Sequence, residues 1–169
     1  MLVILDDVLS ENQLDSFHIG LKTVDRDNSK NRYLRKWNEI KFAHPLLKVT
    51  SKYFNLKRHY RYELWQNIGC SIVPHSLTIN AGLRWHTDKD EDMWEEKGIM
   101  SIPLFGMVYY ASVGCSGGDL ILENGIRISP KPNRLVLFSS GTIKHCVEEH
   151  EGHRYAFLIN IWDKKKLGF

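Results

Sequence analysis

Several features that mark other protein classes are missing from this sequence. Its three cysteines, Cys70, Cys115 and Cys146, are odd in number and lack the close spacing of metal-binding cysteines, so we expect reduced thiols and no disulfide framework. No apolar run approaches the roughly 20 residues of a membrane-spanning helix, and the apolar residues 1–5 end at two aspartates, unlike a secretory signal. No internal repeat or linker divides the 169 residues. The sequence therefore predicts one soluble, cytoplasmic domain, residues 1–169, that spans no membrane.

The net charge of +3 is distributed unevenly along the chain. The segment from Lys22 to Arg61 holds 12 of the 23 basic residues and three acidic ones, a net charge of +9, interleaved with aromatic residues. Such a mixture occurs in proteins that bind nucleic acid through phosphate contacts and base stacking. It also occurs in helices that pack an aromatic face on a sheet and leave a charged face in water. We favour the second interpretation and keep nucleic acid, bound through residues 22–61, as an alternative partner.

Two helices are predicted in the first third of the chain. Ser10 and Gln13 form a Ser-x-x-Gln capping box, and apolar residues follow at helical spacing from Leu14. Pro45 suits the first turn of a second helix that turns several apolar residues inward. The helical region is therefore expected to cover about residues 1–58.

The remaining chain is predicted to form short strands, because β-branched and aromatic residues dominate it and turn signals interrupt it. Asn124-Gly125 predicts a type I′ hairpin, and Pro103 indicates a strand that begins later, near Phe105. Strand number and spacing predict a mainly β fold over about residues 59–163, a jelly roll with the N-terminal helices packed on one sheet. The candidate strands are 60–65, 76–80, 83–86, 99–110, 119–122, 126–128, 134–138 and 155–162.

His86 and Asp88 are candidate metal ligands, because residues two apart on a strand point the same way. His145 follows 57 residues after Asp88 and could complete the site from a neighbouring strand. Two histidines and one carboxylate, with the other positions open, bind iron in non-haem Fe(II) oxygenases. The His-x-Asp motif alone is not specific, since about one such pair is expected by chance in a chain with eight histidines.

Arg154 comes nine residues after His145, at the start of an apolar strand. Its planar guanidinium can bind both oxygens of a carboxylate, and an inward-facing arginine would need such a partner. The nearby His150 and His153 are predicted to decorate a turn. Trp85 is predicted to pack in the core, on the strand face opposite to His86.

In this order and spacing, several segments resemble the catalytic core of 2-oxoglutarate and Fe(II)-dependent oxygenases, most closely the prolyl hydroxylase branch. The similarity covers roughly residues 76 to 163. The segments are Gly82-Leu83-Arg84-Trp85-His86-Thr87-Asp88, Val108-Tyr109-Tyr110-Ala111-Ser112, Ser116-Gly117-Gly118-Asp119-Leu120, the stretch 128–138, His145-Cys146-Val147 and Arg154-Tyr155-Ala156.

The resemblance implies a double-stranded β-helix fold in which His86, Asp88 and His145 are the catalytic iron ligands. 2-Oxoglutarate would chelate the Fe(II), while Arg154 binds its far carboxylate with help from Tyr109. Oxidative decarboxylation by dioxygen would yield succinate and carbon dioxide and hydroxylate a substrate carbon, with peptidyl proline as the first expectation. Ascorbate is a further candidate cofactor. The branch often carries a tyrosine upstream of the first ligand, and Thr78 or Asn80 would have to replace it in the co-substrate pocket.

Three questions stay open at this stage. The acidic loop 89–97 could be a substrate lid that uses Trp94 as its apolar contact, or a mobile, solubilising loop. The substrate could be a peptide or protein, a nucleic acid or a small molecule. The domain could also be a non-catalytic metal-binding jelly-roll module, although a structural zinc site usually has four protein ligands and no fourth is evident.

Overall fold

The computed structural model of the protein describes residues 1–21, 36–57, 59–69 and 82–163. The expectation of one domain over residues 1–169 stays a prediction, and Cys70, Thr78 and Asn80 lie outside the described parts. The helices are α1 (Glu11–Leu21), α2 (His44–Thr50) and α3 (Glu91–Lys97), with 3-10 turns at Trp37–Glu39 and Lys41–Ala43. The strands are β1 (Leu2–Leu5), β2 (Tyr60–Gly69), β3 (Leu83–His86), β4 (Phe105–Gly117), β5 (Leu120–Leu122), β6 (Arg127–Ile128), β7 (Arg134–Phe138), β8 (His145–Val147) and β9 (His150–Asp163).

These strands form two antiparallel sheets, as predicted for a jelly roll. One sheet has the strand order β1-β7-β4-β9-β2, and the other has the order β3-β8-β5-β6. In β4, Val108 and Tyr110 turn into the space between the sheets, whereas Met107 and Tyr109 turn to the opposite face. The five-stranded sheet therefore has an inner face toward the second sheet and an outer face toward the helices.

The helical layer packs on the outer face of the five-stranded sheet, as expected. Phe17 of α1 and Leu46 and Leu47 of α2 are fully buried against strand residues that include Tyr109 and Phe157. The predicted capping box of α1 forms in part, since the Ser10 N–H donates to Gln13 Oε1 at 3.0 Å. Pro45 occupies the first turn of α2. Propensity and apolar spacing thus identify both helices.

The first strand corrects the assignment of residues 1–58 to a helical region. Residues 2–5 pair in antiparallel register with residues 135–138 of β7, at the edge of the larger sheet. The Asp6 carboxylate then binds Arg134 Nε at 2.6 Å and Lys131 Nζ at 3.0 Å. A four-residue strand whose partner lies more than 130 residues away leaves little local signal, and its apolar residues were consistent with several structures.

Several strand limits and one turn also differ from the predictions. Strand β4 begins at Phe105, as Pro103 indicated, but continues to Gly117, and β9 begins at His150 because it pairs with this extension. The hairpin between β5 and β6 is not type I′, since Asn124 does not have a positive φ. Gly125 does, at 84°, and its N–H donates to the Leu122 carbonyl, which closes a three-residue loop.

Two further expectations concern the thiols and the membrane. Cys115 and Cys146 are free cysteines. Among the described residues, no helix has the length and apolar character needed to cross a membrane.

Candidate metal centre and co-substrate pocket

Strands β3 and β8 bring the two predicted histidine ligands together. His86 and His145 are directly opposite each other in the antiparallel pair, and their ring centroids lie 4.3 Å apart. His145 is buried, and its ring packs edge-on against Phe138 of β7 at 4.8 Å. Pairing across two strands therefore closes the long sequence gap between the histidines.

Asp88 completes the cluster from the loop that follows β3. Its Oδ1 lies 3.7 Å from His86 Nε2 and 3.9 Å from His145 Nε2. The Asp88 backbone N–H donates to the Ser140 carbonyl at 3.0 Å, which fixes the loop against the turn before β8. Atoms bound to one ion at about 2.1 Å lie roughly 3 to 4 Å apart, so the three side chains fit a common metal. Their ligand atoms all lie within 4.8 Å of one another.

The hydrogen bonds of the two imidazoles leave the same nitrogen available on each ring. His86 Nδ1 lies 2.7 Å from the Arg84 carbonyl, and His145 Nδ1 lies 3.0 Å from the Ile143 carbonyl. Since a carbonyl oxygen only accepts hydrogen bonds, each Nδ1 carries the proton and each Nε2 presents a lone pair. Both lone-pair nitrogens are the atoms nearest to Asp88. Backbone carbonyls commonly orient metal-binding histidines in this way.

The electrostatics of His145 also suit a metal ligand. Burial lowers the pKa of His145, and the nearby His86 lowers it further, while the Ile143 carbonyl and Asp88 act in the opposite direction. The net shift keeps the imidazole neutral at pH 7, which is the form that binds a metal. The chemistry of this donor set, two imidazoles and one carboxylate, matches non-haem Fe(II).

Arg154 extends inward from β9 into the same cavity between the sheets. The cavity is lined by His86, Asp88 and His145 and also by Arg154. Only 2% of the arginine is exposed, and its Nε and Nη1 atoms have no hydrogen-bond partner within the described residues. A buried, unpaired guanidinium is costly, and a bound carboxylate would satisfy it.

The tyrosine next to Arg154 is Tyr110, and the expectation for Tyr109 is wrong by one residue. The Arg154 guanidinium carbon lies 5.1 Å from the centre of the Tyr110 ring. Tyr109 is on the outer face, where its hydroxyl donates to Asn133 Oδ1 at 3.1 Å and its ring packs against Phe17. Both tyrosines are fully buried, so hydrophobicity alone could not assign them to opposite faces.

His150 is a second residue of this region that the sequence analysis misplaced. It is the first residue of β9 and is only 5% exposed, whereas it was expected on an exposed turn. Its spacing of four from Arg154 on a strand was the available signal, because even spacing places two residues on one face. The predicted role of Asn80 in co-substrate binding lies outside the described residues.

Two exposed tryptophans lie close in sequence to the metal ligands His86 and Asp88. Trp85 is 48% exposed, so the expected core packing of this residue is wrong. Part of the acidic loop 89–97 forms the helix α3, which Asp90 caps by accepting a hydrogen bond from the Met93 N–H at 3.0 Å. Trp94 on this helix is 43% exposed and lies under the Lys89 ammonium. Whether α3 acts as a lid stays a prediction.

Comparisons with known proteins agree with this site. A sequence profile of the 2OG-Fe(II) oxygenase superfamily matches residues 74–162, more than half of the chain and a range that includes the three predicted metal ligands and Arg154. No curated protein sequence matches the chain significantly. Solved structures match at low identity.

Three prolyl hydroxylases are among the similar structures. A prolyl 4-hydroxylase from Phytophthora capsici has a TM-score of 0.58 and 15% identity over 97% of this chain, which spans only 59% of that enzyme. The Trichoplax adhaerens prolyl hydroxylase, solved with a hypoxia inducible factor peptide fragment, has a TM-score of 0.64 and 16% identity over 99% of this chain and 86% of its own. The viral collagen prolyl hydroxylase of Paramecium Bursaria Chlorella virus-1, solved with 2OG, has a TM-score of 0.61 and 14% identity over 95% of this chain and 94% of its own. At this identity the structures establish the jelly-roll fold alone.

The profile match carries the assignment beyond the fold, because it covers the metal cluster and Arg154 together. The chain therefore belongs to the 2OG-Fe(II) oxygenase superfamily, the class of iron- and 2-oxoglutarate-dependent dioxygenases.

Proposed function

We propose that the protein couples the oxidative decarboxylation of 2-oxoglutarate to the hydroxylation of a peptidyl prolyl residue. The observation that carries this proposal is the single cavity that is lined by both the His86, Asp88 and His145 cluster and the buried Arg154. A metal site alone, or a buried arginine alone, would fit many functions. Their shared cavity fits a small molecule with a metal-chelating end and an anionic end.

The residues of the chain then have separate tasks. His86, Asp88 and His145 would hold Fe(II), which with 2-oxoglutarate and dioxygen supplies the oxidising chemistry that hydroxylates an unreactive carbon. Arg154 would bind the far carboxylate of 2-oxoglutarate through its planar fork, and the Tyr110 hydroxyl would add a hydrogen bond. Fixing both ends of the co-substrate orients its reacting end toward the metal. The two sheets exclude water from the inner part of the cavity.

A peptide substrate is supported by the surface next to His86. Leu83 and Trp85 on β3, the strand that carries His86, and Trp94 on α3, which begins three residues after Asp88, are all exposed. Aromatic rings offer flat apolar surface to a proline ring, and exposed tryptophans are common at binding sites. The Trichoplax enzyme with the same fold was solved with a peptide fragment. These observations favour a peptide with an accessible proline over a small polar substrate.

Two assays test the proposal. The protein loaded with Mn(II), which does not turn over, should bind 2-oxoglutarate, and Arg154→Met should weaken binding at least about 100-fold, as expected when a charged hydrogen-bonding partner is removed. The surface variant Arg127→Met is the matched control and should bind normally. The Fe(II) enzyme should then release succinate and add one oxygen atom to a proline-containing peptide. The same peptide with alanine in place of proline should remain unmodified, and its hydroxylation would contradict a prolyl substrate.

The nucleic-acid alternative has a separate location in the structure. Within the described part of residues 22–61, Lys36, Lys57 and Arg61 line a cavity with Tyr62, but none of these residues lines the cavity of the metal cluster. Binding through phosphates would fall steeply as salt rises, whereas binding of a short neutral peptide would not. Succinate formation stimulated by single-stranded nucleic acid, and abolished by salt, would favour the alternative. A chain with no iron-dependent turnover for any substrate class would instead be a non-catalytic module.

A further inference from the structure

Five buried polar atoms at and around Arg154, which lines the co-substrate pocket, have no hydrogen-bond partner within the described residues. Among the described residues, the buried side-chain atoms that lack a hydrogen bond are the Tyr110 hydroxyl, both ring nitrogens of His150, and Nε and Nη1 of Arg154. No such atom belongs to another residue of the described chain. Native proteins leave few buried polar groups unsatisfied, and these belong to only three side chains. Their concentration in one place indicates a ligand.

His150 and Arg154 lie side by side on the inner face of β9. The register of β9 with β4 is uninterrupted from Arg154 to His150, so both side chains point the same way. Gly152 between them has no side chain. A Cβ atom at Gly118 would lie 3.0 Å from Arg154 Cδ and 3.2 Å from His150 Cβ, so both side chains contact the same point of the neighbouring turn. Glycine at position 118 allows this packing.

The charge state of His150 suits a hydrogen-bond donor to an anion bound by Arg154. Burial and the adjacent Arg154 charge lower the pKa of His150, so the ring is neutral near pH 7 and has one N–H. The neutral His150 ring therefore does not place a second positive charge beside the Arg154 guanidinium. A carboxylate has about four acceptor positions. Nε and Nη1 of the arginine, the tyrosine hydroxyl and the histidine N–H together offer four donor atoms.

We propose that His150 is a co-substrate-binding and specificity-determining residue, which donates its ring N–H to the far carboxylate of 2-oxoglutarate and closes the pocket behind it. This inference rests on the proposed function. The three side chains are at most 5% exposed, so under this proposal they form the closed end of the pocket. A dicarboxylate with one more methylene group would collide with this end, and a shorter one would not reach it. His150 thus sets the length of the oxoacid that the enzyme accepts.

The test measures binding and stability in the same variants. His150→Phe keeps a planar ring of similar size but removes the N–H, and His150→Gln restores an N–H donor. His153→Phe is the matched control, because His153 belongs to the same strand but binds Ser112 Oγ through Nε2 at 3.0 Å. Calorimetry of the Mn(II)-loaded proteins gives the affinities for Mn(II) and 2-oxoglutarate, and thermal unfolding gives their stability.

We expect His150→Phe to weaken 2-oxoglutarate binding about tenfold or more, the usual effect of losing a hydrogen bond to a charged acceptor. Mn(II) affinity should stay within twofold and the unfolding temperature of the unliganded protein should not fall, since the lost nitrogens have no partners to lose. His150→Gln should recover part of the affinity. His150→Ala, which shortens the side chain, should shift the preference toward 2-oxoadipate, the acid with one more methylene group.

Two outcomes would overturn the inference while leaving the proposed function intact. In the first, wild-type protein binds 2-oxoglutarate and Arg154→Met does not, but His150→Phe binds as well as wild type. In the second, His150→Phe loses affinity only together with Mn(II) affinity and stability, as a purely structural residue would. Failure of the wild-type protein to bind 2-oxoglutarate would instead remove the proposed function itself, and the inference with it.

Discussion

The two faces of the five-stranded sheet differ in how their buried polar groups are treated. On the outer face, the Tyr109 hydroxyl donates to Asn133, and Thr50 Oγ1 of the packed helix α2 donates to the Leu46 carbonyl at 2.9 Å. On the inner face, Tyr110, His150 and Arg154 are buried as deeply but carry unpaired atoms. These buried polar groups of the outer face thus have hydrogen-bond partners without a ligand, whereas those of the inner face need a ligand to supply them. Such incomplete faces reduce stability and are retained where binding requires them.

The largest expected effect concerns metal binding in the cavity on the inner side of the five-stranded sheet. Asp88→Ala should lower Mn(II) affinity more than about 100-fold, since even groups that only support a metal ligand contribute about 10- to 100-fold. Equilibrium dialysis measures the change. Asp90→Ala is the matched control two residues away. It removes the cap of α3, at about 1 kcal/mol, and should leave Mn(II) affinity unchanged. Equal losses in both variants would refute the ligand role of Asp88.

Truncating a buried side chain on the outer face should lower stability without changing metal binding. Phe157→Ala removes a fully buried ring that packs against Phe17 at 5.3 Å and Phe42 at 5.6 Å. The free energy of unfolding should fall by about 3 to 5 kcal/mol, the usual cost of such a cavity. Chemical denaturation measures this loss. In the fraction that remains folded, Mn(II) affinity should be unchanged, and a parallel loss of metal would mean that the two faces are coupled.

The neighbouring tyrosines should give opposite results when each loses its hydroxyl. Tyr109→Phe should lower the free energy of unfolding by about 0.5 to 1.5 kcal/mol, because a paired hydrogen bond is lost, without affecting 2-oxoglutarate affinity. Tyr110→Phe should leave stability unchanged or higher and weaken 2-oxoglutarate binding about tenfold. Chemical denaturation of both variants measures their stability, and calorimetry measures their affinity for 2-oxoglutarate. If Tyr109→Phe were the variant that lost affinity, the assignment of faces would be wrong.

The smallest expected effect is the part of the pH dependence of stability that His150 contributes. The folded pKa of His150 is lowered, so the unfolded chain takes up its proton first as the pH falls below about 6.5. The stability of the metal-free protein should therefore decline between pH 7 and 5. His150→Phe should reduce this slope, whereas His153→Phe should not. Denaturation curves at several pH values measure the slopes, and identical slopes for wild type and His150→Phe would contradict the prediction.

The metal cluster could be predicted because a short local motif, His86 and Asp88, is joined by later segments whose order and spacing resemble a known family. His86 and Asp88 share one strand end, and the spacing of nine between His145 and Arg154 matches the resembled family. Helices α1 and α2 were likewise marked by a capping box and by Pro45. These features depend on neighbours in the chain, so a one-dimensional pattern records them.

The errors arise where local pattern carries no information about the face or the partner. Strand β4 is buried on both faces from Phe105 to Ala111, so polar and apolar residues do not alternate and Tyr109 could not be distinguished from Tyr110. His150 is followed by Glu151, Gly152 and His153, a polar run that conceals the start of β9. The pairing of residues 114–117 with that run extends the strand, and such a pairing is a long-range property.

The opposition of His86 and His145 has a consequence for the mechanics of the site entrance. Strand β3 is four residues long, lies at the edge of its sheet, and has an irregular register with β8 between Leu83 and His86. An ion held by both imidazoles would cross-link this edge strand to β8. Metal occupancy would then also determine how firmly Trp85 and Leu83 are held, so loading the ion would order the exposed apolar residues of β3 as well as the metal ligands.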